Sequence, residues 1–128
     1  MSKVDTECRY LKSHEWARKN ADGSIIVGIS DHAQIALGDL VFVELPAVGS
    51  TLNAGASCAV VESVKAASDV YSPMSGVVSS VNSVLADSPE TINNDAYGAG
   101  WMFTLMPSAA GEFDALLDAK TYEAGLES

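Results

Sequence analysis

Basic side chains are scarce in this sequence: 7 Lys and Arg stand against 17 Asp and Glu, a formal net charge of −10. A surface so biased repels phosphate backbones, which excludes nucleic acid as a partner and favours a dispersed monomer. Only two cysteines occur, Cys8 and Cys58, too few and too far apart for a disulfide framework or a zinc cluster. Both read as reduced thiols. Cys58 opens the apolar run Cys58-Ala59-Val60-Val61 and is expected in the core, whereas Cys8 is expected nearer the surface. No apolar run reaches the roughly 18 residues needed to cross a bilayer, so no membrane span is expected. Met1 to Glu7 lacks the apolar centre of a secretory signal and carries acids that an organellar presequence avoids. A cytoplasmic, bacterial-type location is the expectation.

The 128 residues and 13.3 kDa suit one domain spanning 1–128. Ser24 to Ile29 is a β-branched run behind the turn dipeptide Asp22-Gly23 and should pair with Glu15 to Arg18. A short helix near residues 31–37 follows, with Ser30 or Asp31 to cap it, Gly38 to end it, and Ile35 and Leu37 to pack beneath. From Asp39 to Met106 short strands alternate with Gly, Pro, Asn and Ser. Helix is expected again only over about 111–127, where Phe113, Leu116 and Leu117 have helical spacing in a first piece and Thr121 to Leu126 forms a second.

An internal repeat organises the middle of the chain. Val43-Glu44-Leu45-Pro46-Ala47-Val48-Gly49 and Val70-Tyr71-Ser72-Pro73-Met74-Ser75-Gly76 share the frame V-x-x-P-x-x-G, 27 residues apart (70 − 43). In each copy Pro interrupts strand pairing and Gly permits a turn, so each should form a strand, a corner and a returning strand. Two such units bury their apolar faces by packing together about a pseudo-twofold axis. The expected fold is mainly β, a flattened barrel-sandwich hybrid of two half-repeats with a hairpin over about 60–71 at their join.

That hairpin carries the one basic residue between Lys19 and Lys120, namely Lys65. A lone lysine is ordinarily a solvated charge. Here, Ala66, Ala67 and Ser68 leave its amine sterically open, and a hairpin tip offers it to a modifying enzyme, where acylation would remove its charge and extend it as a tether. The rival chemistry, a lysine nucleophile attacking a carbonyl, needs a desolvated amine and suits a hairpin tip poorly. His14-Glu15 could open a zincin motif, but Arg18 stands where the second histidine is required. No catalytic or metal-binding residues are assigned.

The run from Val61 to Gly76 closely resembles the lipoylation segment of the glycine cleavage system H protein family. The resemblance extends through Ser13-His14-Glu15-Trp16, Val27 to Gln34, Leu37-Gly38-Asp39, Phe42 to Pro46, Val81-Asn82, Pro89-Glu90, Asn93 and Tyr97-Gly98-x-Gly100-Trp101. It implies lipoic acid in amide linkage to Lys65, with Glu62 and Gly76 in the pattern recognised by a lipoyl ligase or transferase. It further implies a carrier without catalysis of its own, shuttling an aminomethyl group from a glycine decarboxylase (P protein) to an aminomethyltransferase (T protein) and reoxidised by dihydrolipoamide dehydrogenase (L protein). Residues matching Ser13, Glu15, His32 and Asp69 would line the cleft that protects the loaded arm. Two related roles stay open: a lipoyl domain of another complex, disfavoured by the Ser-His-Glu-Trp segment and C-terminal helix, and an H-like relay that donates lipoyl groups elsewhere.

Overall fold

Alternating and β-branched runs between turn residues give nine short strands among the described residues. The computed structural model describes residues 4–126. In chain order these form β1 (Arg9–Tyr10), β2 (Glu15–Lys19), β3 (Ile25–Ile29), α1 (Asp31–Leu37), β4 (Leu40–Glu44), β5 (Thr51–Leu52), β6 (Ser57–Ser63) and β7 (Ala67–Tyr71). They continue with β8 (Gly76–Val81), α2 (Val84–Asp87), α3 (Thr91–Asn94), β9 (Phe103–Pro107), α4 (Glu112–Ala115) and α5 (Ala119–Leu126). A six-stranded sheet runs β1-β2-β3-β9-β8-β5 and a three-stranded sheet runs β4-β6-β7. The mainly β expectation holds, and the two sheets enclose a core without closing into a barrel.

The core follows from strand alternation. In β6 the inward positions are Ala59, Val61 and Ser63, and the first two share one core with Val27, Val78, Phe103 and Leu105 of the larger sheet. A second cluster lies where α5 meets β1 and β2, built from Cys8, Tyr10, Trp16, Ala119 and Tyr122. Its indole is fully buried, and Trp16 Nε1–H donates to the carbonyls of Ile29 (2.9 Å) and Ala96 (3.1 Å). Cys8 belongs to this cluster at 2% exposure, which corrects its expected place near the surface. Burial pushes both thiols up to about 12, so Cys8 and Cys58 stay protonated at neutral pH.

The repeat is visible in the pairing. β5 and β8 lie antiparallel, with Thr51 opposite Val77 and Leu52 opposite Gly76. A 27-residue shift that carries Thr51 to Val78 and Val77 to Ser50 maps this pairing onto itself, and the Val78 N–H donates to the Ser50 carbonyl at 2.9 Å. Val43 and Val70, the first residue of each frame, are both buried. The two glycines differ in purpose. Gly49 turns the chain at φ +90°, as expected. At Gly76 a Cβ would stand 2.3 Å from the Met106 carbonyl oxygen, so this glycine permits close backbone approach between β8 and β9.

The helices depart from expectation in detail. Ser30 caps α1 by accepting from the Ala33 N–H (3.2 Å), and Gly38 ends it at φ +84°. Ala33 and Leu37 pack on the core, being four apart on one face, whereas Ile35 lies on the other face at 54% exposure and does not pack beneath. The single-turn helices α2 and α3 interrupt what read as continuous strand and turn; their Ser, Asp and Asn content is also turn chemistry. The first helical piece, expected over Gly111 to Ala119, is helical only from Glu112 to Ala115 before α5 begins. Tyr10 and Leu117 exchange backbone hydrogen bonds of 2.8 and 2.9 Å, an isolated bridge that pulls Leu116 and Leu117 out of helix. Asp118 then caps α5 by accepting from the Thr121 N–H (2.8 Å). Residue 127 of the expected segment, like residues 1–3 and 128 of the expected domain, lies outside the described residues.

Candidate functional site

Glu62 pairs with Ala67, which leaves Val64 and Lys65 as the two central residues of the β6–β7 turn. Neither has positive φ, so the usual glycine-dependent hairpin turn is not used. Ser63 substitutes for it. Its hydroxyl oxygen accepts from the N–H of Lys65 (3.1 Å) and of Ala66 (3.2 Å), while its own N–H donates to the Ala66 carbonyl (2.8 Å). The Val64 N–H donates to the Asp39 carbonyl (3.2 Å), which moors the tip to the α1–β4 connection.

The Lys65 side chain is exposed and lies along that connection. Its Nζ donates to the Ala36 carbonyl at 3.3 Å, and a Cβ at Gly38 would come 3.3 Å from its Cε. Ala36 is in the last turn of α1, where carbonyls lack helical partners and a cation is favourable. Asn93 of α3 fixes the platform: its Nδ2 donates to Gln34 Oε1 and to the Gly38 carbonyl, both 2.9 Å, and its Oδ1 accepts from the Leu40 N–H at 2.9 Å.

A second group gathers where β2 meets the end of β7. Glu15 is 2% exposed. Its carboxylate accepts a short hydrogen bond from the Ser13 hydroxyl and another from the Tyr71 N–H at 2.9 Å, so it joins the two sheets. Burial raises its pKa above the ordinary carboxylate value, against the lowering effect of those hydrogen bonds. Beside it a cavity of about 450 Å³ is lined by Leu11, Lys12, Ser13, Gly55 and Tyr71. His32, half-buried in the first turn of α1, has its ring 4.7 Å from that of His14. Burial, and then the neighbouring His32, lower the His14 pKa.

The structure therefore brings Ser13 and Glu15 into contact and sets His32 beside their neighbour His14. Asp69 lies on β7, opposite Val60 and two residues before Tyr71, exposed and without a side-chain partner among the described residues. Glu62 is half-buried on β6 between Phe42 and Ala67 of the flanking strands. Among the described residues no group of three His, Cys, Asp or Glu side chains is placed to hold a metal ion.

Comparison with known proteins decides the family. The family model described as glycine cleavage H-protein matches residues 8–128. The chain belongs to the glycine cleavage H-protein family. It is 61% identical over 127 residues to the glycine cleavage system H protein of Shewanella sp. strain ANA-3, covering 99% of this chain and 98% of that protein. Identity to the Shewanella baltica H protein is 60% over the same coverage. The crystal structure of an H protein from Mycobacterium marinum superposes with a TM-score of 0.88 at 44% identity, covering 98% of this chain and 100% of that one.

Lipoic acid, the covalent cofactor of H-proteins, has a compatible attachment point here. The Lys65 amine is exposed, flanked by small residues, and held by one acceptor. An amide at Nζ would lose the positive charge yet keep one N–H for the Ala36 carbonyl, so the tip need not rearrange. Ser63, His14, Gly38, Asn93 and Tyr122 act at or near these sites, yet none was singled out for a site role by sequence. Ser63 carried a usable signal, a serine two residues before a turn lysine. The others depend on contacts between distant segments.

Proposed function

We propose that Lys65 is the lipoyl attachment residue, and that Ser13, Glu15, His32 and Asp69 form the cleft that receives the loaded arm. As an H-protein the chain is a carrier and not an enzyme, and its partners are the glycine decarboxylase, the aminomethyltransferase and dihydrolipoamide dehydrogenase of the glycine cleavage system. The lipoyl group, when bound, supplies the disulfide and dithiol chemistry that accepts and releases the aminomethyl unit. The protein's part is display and protection. The observation that carries the Lys65 assignment is an exposed amine at a tip fixed by Ser63 and Asp39, the one basic residue between Lys19 and Lys120.

Protection follows from charge. An amine keeps its proton, and with it loses the lone pair that would expel the sulfur, when carboxylates stand nearby. Glu15 and Asp69 supply those carboxylates, while Ser13 and His32 orient the group. Glu62 is the proposed recognition residue for the lipoyl ligase or transferase. Gly76 shares that assignment, alongside its backbone role against Met106. The proposed unit is a single carrier domain over 1–128, monomeric and cytoplasmic. Its curated relatives are bacterial, and among the described residues no helix is long and apolar enough to cross a membrane.

Intact mass after exposure to lipoate, ATP and ligase, followed by peptide mapping, tests the assignment. The expected outcome is one lipoyl group on the peptide containing Lys65, none in Lys65→Arg, and slower modification in Glu62→Ala. A lipoyl group on Lys120 or Lys12 would overturn it. Arginine is the informative control, since it keeps the cation but offers no amine for amide formation.

A further inference from the structure

His14 is the one non-glycine residue with left-handed backbone among the described residues, at φ +81°. The hairpin loop favours a left-handed residue at this place but does not offset the strain of a histidine there. The Leu11 carbonyl accepts from the His14 N–H and the Leu11 N–H donates to the Glu15 carbonyl, both at 3.0 Å. This is a three-residue loop of Lys12, Ser13 and His14, in which a type I turn is followed by a left-handed residue. Glycine or asparagine ordinarily fills the last place, because a longer side chain strains it. Histidine stands there instead, immediately between Ser13 and Glu15.

Its ring is tied down. His14 Nδ1 lies 2.7 Å from the Tyr122 hydroxyl, which lies 2.7 Å from the Ser30 hydroxyl. Ser30 Oγ already accepts from the Ala33 N–H, so its own proton is free for Tyr122, and the Tyr122 proton is free for His14 Nδ1. Tyr122 is itself buried and stacks on Tyr10, centroids 4.1 Å apart and planes 2° from parallel, which fixes where its hydroxyl points. A cavity of about 390 Å³, lined in part by Lys12, His14, Thr121 and Tyr122, opens beside the imidazole. On that side the imidazole lies edge-on to the Tyr122 ring, centroids 5.6 Å apart, and the hydrogen bond to the Tyr122 hydroxyl fixes its orientation.

We propose that Tyr122 is a positioning residue: it holds His14 in its left-handed conformation, and so the C-terminal helix sets the geometry of the Ser13–Glu15 pair. Freed from Tyr122, His14 relaxes toward ordinary backbone angles. Ser13 on one side and Glu15 on the other then turn relative to each other, and the Glu15 bond to the Tyr71 N–H loosens. The functional meaning of this clasp rests on the cleft assigned under Proposed function; its geometry does not.

Hydrogen exchange on the full-length lipoylated chain tests the clasp, with the Tyr71 amide reporting on the Glu15 contact. The Met102 amide, which donates to the Val27 carbonyl at 2.8 Å, reports on the sheet. In Tyr122→Phe, which keeps the stack on Tyr10, Tyr71 should exchange about tenfold faster, the effect of losing one hydrogen bond, with Met102 unchanged. Adding His14→Gly in the same chain should restore slow exchange at Tyr71, since glycine needs no restraint there. An unchanged Tyr71, equal acceleration at Met102, or failure of glycine to rescue would each overturn the proposal. Release of formaldehyde and ammonia from the aminomethyl-loaded carrier should follow the same order across the variants. If exchange follows that order and release does not, the clasp stands and the cleft assignment fails.

Discussion

Glu15 shows what a single buried carboxyl costs and contributes. Its folded pKa is raised from the ordinary 4.5, chiefly by burial. A raised folded pKa means that the native state holds the proton more tightly than the unfolded chain. Its stabilising contribution is therefore complete below pH 4.5 and is lost as pH rises through the folded value. In Glu15→Gln that loss is absent, while the amide oxygen can still accept from the Tyr71 N–H. The expected result is a urea midpoint for Glu15→Gln that gains on the parent between pH 4.5 and 7, with the difference levelling off above the folded pKa. The same variant should release formaldehyde and ammonia faster from the loaded arm, because it lacks the charge that keeps the amine protonated. A difference in midpoint that stays constant from pH 4 to 7 would contradict the stability half. His14 has the opposite sign. Its folded pKa lies below 6.5 because of burial and the facing His32, with the hydroxyls of Tyr122 and Ser30 as its uncharged neighbours. Its stability contribution is present above pH 6.5 and is lost as pH falls through the folded value.

Among the elements, α1 and the β6–β7 tip form one construction, and Asn93 is its keystone. Asparagine to alanine there removes three hydrogen bonds and strands the Leu40 N–H, which should cost about 2–3 kcal/mol in denaturant unfolding. Because the Ala36 to Asp39 platform then shifts under Lys65, modification by the ligase should also slow. A cost under about 0.5 kcal/mol, the range of a neutral surface substitution, would show that water replaces those partners. The elements themselves were largely legible in the sequence: Ser30 and Gly38 marked both ends of α1, and Asp22-Gly23 with its β-branched run marked the β2–β3 hairpin. Lys65 was legible through its isolation among acidic and apolar residues. Tyr122 and His14, 108 positions apart, were not, since no local pattern joins them. Nor was the break after Ala115, where tertiary pairing of Leu117 with Tyr10 overrides a sound helical period. The Gly76 contact with Met106 was hidden for the same reason: a glycine in a turn frame and a glycine under a neighbouring backbone look alike in one sequence.

At the scale of the whole molecule, charge governs how a carrier meets its enzymes. The chain carries a formal −10, and amide formation at Lys65 removes one of its 7 cations, giving −11. Such a surface draws in partners whose docking faces are basic and speeds their encounter, with a reach set by the Debye length of about 30 Å at 0.01 M salt and about 8 Å at 0.15 M. A carrier that serves three enzymes gains from encounter rates that are high and contacts that are brief, and long-range attraction supplies the first without prolonging the second. Reoxidation of the reduced, lipoylated protein by dihydrolipoamide dehydrogenase should therefore show a kcat/KM that falls about tenfold between 10 and 150 mM NaCl. Free dihydrolipoamide, which is uncharged, is the control and should change far less with the same enzyme. A carrier kcat/KM that changes with salt no more than that of free dihydrolipoamide would mean that its field plays no part in docking, and a rate that rises with salt would mean that the enzyme presents an acidic face to an acidic carrier. Stopped-flow measurements at several salt concentrations distinguish these outcomes, because only attraction between unlike charges gives a negative slope.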